Sequence, residues 1–221
     1  MPLTPAQVLQ LSTAIAGYAF PPAYFDYSAG APVIGLSMAQ VEARIRIDLT
    51  AGVPSQTKDG LSNVLYWGFT QMGGLADVRV GHFRTTVSPT QLRAASLLLS
   101  GSPRPTLLSI KKLGLPQFSG VSFVSKVRMF LDPVSSATLD QQIMKIRGVR
   151  PTTVLAAVRP GKTTIPVSAA NSAAYEAWCE RLDYIRKTYL PAVRVVDIER
   201  GLFHLIQSGN LATSADLLAD A

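Results

Sequence analysis

The stretch Gly120-Val-Ser-Phe-Val-Ser-Lys-Val-Arg-Met-Phe-Leu-Asp-Pro133, GVSFVSKVRMFLDP, decides how the chain reads. It opens on a glycine, continues as an apolar helical pattern and stops at a proline. Lys126 stands in it among Val124, Val127, Met129 and Phe130. Such a lysine either buries its stem and lifts the ammonium to water, or does chemistry with its amine. Upstream, residues 107–113 predict a short helix and Gly114-Leu-Pro-Gln-Phe-Ser-Gly120 a glycine-containing turn. The unit over about 106–131 is therefore two short helices joined by a turn. The start of its second helix exposes backbone N–H groups at the positive end of the helix dipole, which suits a phosphate. Gly120 and Ser122 form that start, and Lys111, Lys112 and Arg128 surround it as expected contacts to a phosphate backbone. Beyond Pro133, Ala137-Thr-Leu-Asp-Gln-Gln-Ile143 begins a further helix with Asp140 at its N-cap, where backbone donors hold the carboxylate.

The charge pattern agrees with an anionic partner. Among 221 residues, 48% are hydrophobic and 16% charged, with a net charge of +7. Residues 79–162 hold thirteen Lys or Arg and two acids, so this segment is net +11 and the flanks net −4. A basic block of this kind fits a polyanion, because neutralised phosphates release condensed counterions. A basic but solvated surface accounts for the charge equally well. No run approaches the ~20 apolar residues of a membrane span. The first residues lack a signal-peptide layout, and one cysteine gives no disulfide framework. The expectation is an intracellular protein without a membrane partner.

Helix-start signals organise the rest. Thr4-Pro-Ala-Gln7, Ser37-Met-Ala-Gln40 and Ser88-Pro-Thr-Gln91 each set a hydroxyl residue three before a glutamine, the reciprocal capping box. They predict helices over 5–18, 38–49 and 89–100. Periodicity adds helices near 60–72, 106–113, 121–131, 140–147, 170–189 and 197–208, with 154–158 the best strand candidate. Residues 19–36 and 149–169 read as Pro/Gly-rich connections. The expected architecture is mostly α, a single helical domain over 1–221 with C-terminal helices over about 170–208.

These pieces resemble the helix-hairpin-helix DNA glycosylases, and more narrowly bacterial proteins with the 8-oxoguanine DNA glycosylase fold. The matching stretches are Tyr66-Trp-Gly68, Phe118-Ser-Gly-Val-Ser-Phe-Val-Ser-Lys126, Phe130-Leu-Asp-Pro133, Leu139-Asp140 and Val196-Asp-Ile-Glu-Arg-Gly-Leu-Phe203, across residues 60–208. The resemblance implies a DNA N-glycosylase, with AP lyase activity, that flips a damaged nucleotide out of duplex DNA. It implies Lys126 as the nucleophile toward the sugar and Asp140 as the carboxylate that stabilises positive charge there. The implied substrate is an oxidised purine such as 8-oxoguanine, and the implied setting is nucleoid-associated DNA repair. The family's Gly-Val-Gly turn is Gly120-Val-Ser122 here, and Lys126 stands four residues after Ser122. A catalytically inactive helix-hairpin-helix DNA-binding module is the alternative on the same scaffold.

In the resembled fold a late helix lines the base pocket with an aromatic and an amide. Phe203 and Gln207, four apart on one helix face, take those roles by position, with Trp67 beside them. Core packing explains Phe203 as well. Ala156-Ala-Val-Arg-Pro-Gly-Lys-Thr163 loosely matches a phosphate-binding loop, but that loop requires a helix directly after Lys-Thr and Pro166 follows. His82, His204 and a lone cysteine do not make the usual zinc set. Neither a metal nor a nucleotide cofactor is expected.

Overall fold

Thr4, Ser37 and Ser88 each accept from the backbone N–H of the glutamine three residues on, whose side chain returns the bond to the cap's own N–H. All three capping boxes read from the sequence are closed. A computed structural model describes residues 2–221. In chain order its elements are α1 (Pro5–Ala16), β1 (Phe25–Asp26), β2 (Ala31–Pro32), α2 (Met38–Thr50), α3 (Pro54–Phe69), α4 (Leu75–Thr86), α5 (Pro89–Ser100), α6 (Leu107–Lys112), α7 (Val121–Leu131), α8 (Lys145–Val149), α9 (Ala169–Tyr189), α10 (Val195–Gln207) and α11 (Leu211–Asp220). The protein is mostly α. Its one sheet among the described residues is the antiparallel pair β1–β2, with Phe25 opposite Pro32.

The chain divides into two compact units. One spans residues 20–131; the other joins residues 2–19 to residues 132–221. In the 20–131 unit, α3 is the central element and packs against α2, α4, α5 and α7. Residues 61–65 are buried without interruption, as expected of a helix with neighbours on every side. Gly60 lets α2 come close, since a Cβ there would lie 2.9 Å from the Leu49 backbone nitrogen. Asn63, fully buried, satisfies both backbone groups of Phe25 and so ties β1 to α3. Trimming Leu61 or Leu65 to alanine would cost about 2–5 kcal/mol.

In the other unit, α10 packs against α1, α9 and α11. Gly201 is the contact point with α1, where a Cβ would meet Ile15 and Leu11 at 2.8 and 3.0 Å. The first N–H groups of α10 donate to the carbonyls of Val134 and Pro133. These donors have no partner within their own helix, so the preceding chain satisfies them. Tyr175 and Trp178 of α9, both fully buried, donate to the carbonyls of Ala137 and Thr138 and fix the extended segment leading to Asp140.

Several boundaries differ from the sequence reading. The helix expected from 60 starts at Pro54, whose N-cap Val53 has no side-chain cap. Helix α4, absent from the sequence reading, follows Gly73-Gly74; Gly74 is itself the N-cap, in the left-handed region at φ 68°. Residues 154–158 are not a strand: Val154–Ala157 is a 3-10 turn. Short apolar runs do not separate these states by pattern alone. The helix expected over 140–147 is a turn over residues 141–144 that leads into α8.

Candidate functional site

The two-helix unit exists as α6, a turn and α7, with α6 and α7 in contact. Thr106 caps α6, and Gly114 ends it at φ 63° with its N–H on the Lys111 carbonyl. A second turn follows at residues 115–118, closed by Phe118 N–H donating to Leu115 at 3.2 Å. Pro116 and Gln117 are its central pair. Gln117 has φ 70°, the single positive φ of a non-glycine among the described residues. Proline followed by a positive-φ residue is the type II pattern, which glycine usually fills. A glutamine there carries strain of about 1 kcal/mol or more. Its side chain accepts from Arg79 Nη1 at 3.2 Å, so α4 holds the turn from outside.

Lys126 lies on α7, 7% exposed. Its Nζ is 3.4 Å from the Ser122 carbonyl oxygen and 5.3 Å from the centre of the Phe123 ring. Phe123 stacks on Phe69 with centroids 4.5 Å apart, and the Arg79 guanidinium is 5.8 Å from the Phe69 centroid. Cation, ring, ring and cation thus form one chain of contacts from α4 through α3 to α7. Gly68 makes room for it: a Cβ there would come within 2.7 Å of the Phe123 ring and 3.4 Å of the Lys126 stem. Both phenylalanines are partly exposed, so a flat apolar surface adjoins the lysine. Phe69, Phe123, Arg79 and Gln117 were not singled out as site residues in the sequence. The aromatic at Phe69 directly follows the Tyr66-Trp-Gly68 stretch, and was the available signal.

Lys111 and Lys112 are exposed at the end of α6, while Gly120 and Ser122 at the start of α7 are half-buried. Arg128, expected beside them on a phosphate backbone, is instead 2% exposed, and its Nη1 donates to the Pro105 carbonyl at 2.7 Å. Its guanidinium organises the loop before α6 and is withdrawn from any surface. Trp67, expected in a base pocket, is 4% exposed between Phe20 and Phe130, at 4.8 and 5.2 Å between ring centres. It is a core residue of the 20–131 unit.

Asp140, Phe203 and Gln207 belong to the other unit. The Asp140 carboxylate accepts from the N–H groups of Gln142 and Ile143 at 2.9 and 3.2 Å, so it closes the 141–144 turn rather than capping the expected helix, whose place is taken by α8 with Met144 as N-cap. Phe203 is buried against Tyr18, edge to face at 6.2 Å; Gln207, one turn on, is exposed. The Arg200 guanidinium lies 5.3 Å from the Tyr18 ring. Burial, then the Glu199 carboxylate, drives the Tyr18 hydroxyl far above the usual phenol range, against the opposing pull of Arg200. Asp197 shows the reverse balance. Burial works to raise its carboxyl, but bonds from the Arg194 side chain and backbone, with Arg200 near, hold it below the usual carboxylate range.

Among the described residues no cluster of His, Cys, Asp and Glu could hold a metal ion. Among the same residues no helix is long and apolar enough to cross a membrane. The Ala156–Thr163 stretch has no helix directly behind it, since Gly161 N–H closes a turn on the Thr164 carbonyl and α9 begins at Ala169. No protein-family model, no curated protein and no solved structure matches the chain.

Proposed function

We propose that the protein is a DNA-binding base-excision glycosylase that removes an oxidised purine such as 8-oxoguanine through Schiff-base chemistry at Lys126. The observation that carries this reading is the placement of the Lys126 amine. It lies on the second helix of a two-helix hairpin, screened from bulk water and beside a partly exposed pair of stacked rings. In this reading the amine attacks the anomeric carbon of an extrahelical nucleotide as the bond to the base breaks. The base leaves with the electrons of that bond, and the opened sugar and amine form an imine. Loss of the 3′ phosphate from that imine gives strand scission. The partner is double-stranded DNA, and Lys111 and Lys112 contact its backbone.

Borohydride trapping tests the proposal. Protein incubated with duplex DNA containing 8-oxoguanine should give a covalent adduct after reduction, and Lys126→Ala should abolish it. An adduct that survives this substitution would overturn the assignment. The second reading, a catalytically inactive DNA-binding module, draws on the contact of Lys126 Nζ with its own helix at the Ser122 carbonyl. It predicts binding with a steep salt dependence and no trapped adduct.

A further inference from the structure

The cations of residues 145–162 are left unused by this chemistry, and all of them belong to the unit formed by residues 2–19 and 132–221. Between Asp132 and Glu176 the sequence holds five cations and one acid, Asp140. Arg150 is neutralised by Asp216 in an exposed pair. The other four are Lys145, Arg147, Arg159 and Lys162. Lys145 and Arg147 line a hollow of about 420 Å³ together with Gln141, Met144, Gly148 and Pro160, and no carboxylate is among its walls. Arg159 and Lys162 are exposed on the loop that includes Pro160.

That loop is built to stay in place. Asn171 of α9, 1% exposed, accepts from the Arg159 N–H at 2.7 Å and donates to the carbonyls of Arg159 and Pro166 at 2.9 and 2.8 Å. From the α8 side, Arg147 Nη1 donates to the Val158 carbonyl at 2.8 Å. One edge of the Arg147 guanidinium is thereby fixed, and a fixed planar fork loses little freedom when it takes a phosphate. Gly148 adds access, because nothing lies within 4 Å of where its Cβ would be. A hollow with an open backbone, an amide and two cations, flanked by two more on a pinned loop, matches a run of phosphates better than a single anion.

We infer that this surface of α8 and the 158–166 loop is a second nucleic-acid contact, engaging the phosphodiester backbone independently of the α6–α7 hairpin. The inference rests on the DNA-binding reading and extends it to a surface without a role in the chemistry. It gives the enzyme a footprint set by two separate patches, and each phosphate engaged adds about 0.9 to the slope of log affinity against log salt.

The experiment is a salt titration of affinity for a short fluorescein-labelled duplex, read by anisotropy. The Lys145→Ala/Arg159→Ala/Lys162→Ala triple variant should lower the slope by roughly two to three. Gly148→Leu, which fills the hollow without altering charge, should weaken binding while leaving the slope nearer that of the unmodified chain. Both variants sit on exposed positions and should unfold at the unmodified urea midpoint. An unchanged slope and affinity in the triple variant, while Lys111→Ala/Lys112→Ala weakens binding, would overturn this inference alone. An unmodified chain that fails to bind duplex even at low salt would overturn the DNA reading, and this inference with it.

Discussion

Helix α7 and the α8 region carry the same kinds of residue and dispose of them in opposite ways. On α7, Lys126 and Arg128 are 7% and 2% exposed, and residues 124–131 are all buried. On α8 and the loop after it, Lys145, Arg159 and Lys162 are exposed, and Ile146 is the one buried residue of the helix. The cause is the number of neighbours. Helix α7 packs against α2, α3 and α6, which leaves only its first turn partly open to solvent; α8 is five residues long and packs mainly on α11 and the 3-10 turn. A formal charge of +11 over residues 79–162 therefore overstates what a ligand would meet. Arg84 is also partly withdrawn, paired with Asp59 at 2.6 Å and stacked 3.9 Å over Tyr27.

The largest effect that would break this contrast lies at Arg128. Arg128→Ala should destabilise the protein by about 3 kcal/mol, from a lost buried side chain and a buried Pro105 carbonyl without its donor. Urea denaturation would measure it, and Arg128→Met, which keeps most of the volume, should cost less. An unchanged midpoint with weakened DNA binding would put Arg128 back among the surface cations. Next in size is Asn171→Ala, expected to cost about 2 kcal/mol because three backbone groups lose their partner. It should also reduce affinity for duplex DNA more than Lys145→Ala alone, since it releases the loop that presents Arg159 and Lys162.

A pH series sharpens the contrast on the acid side. Asp197 has a folded-state pKa below its unfolded value, so it contributes stability above the unfolded pKa of about 3.9 and loses it as pH falls further. Asp197→Asn should therefore be less stable than the unmodified chain at neutral pH, and the two should converge as pH drops below about 4. Parallel curves across that range would mean that Arg194 and Arg200 do not hold the carboxylate. The smallest effect is expected at Lys145→Ala and Arg159→Ala, each within about 0.5 kcal/mol of the unmodified stability. A loss of more than 1 kcal/mol at either would show that α8's cations, like those of α7, are structural.

What the sequence disclosed depended on how local the signal was. Capping boxes need only four residues, and Thr4, Ser37 and Ser88 announced their helices correctly. The hairpin was legible for the same reason: Thr106, Gly114 and Gly120 punctuate it. Helix α4 was missed because its cap, Gly74, works through a left-handed backbone and offers no side-chain signal. Among the candidate residues, Lys126 and Asp140 stood out because each had a local pattern around it. The ring pair of Phe69 and Phe123 did not, because the two are brought together only by the packing of α3 on α7. Burial of Arg128 was hidden for the same reason. A cation's exposure is set by the helices packed around it, which one strand of sequence does not name.

The unit formed by residues 2–19 and 132–221 takes its first helix from one end of the chain and its partner from the other. During synthesis α1 must wait for Val195 to emerge before Gly201 can receive Leu11 and Ile15. At about 5–20 residues per second that delay is on the order of ten to forty seconds. Through it the intervening unit can close around α3, while the amino-terminal helix keeps its apolar stripe uncovered. The ribosome thus imposes an order of assembly, and α1 is the piece of this unit that a chaperone would have most time to hold.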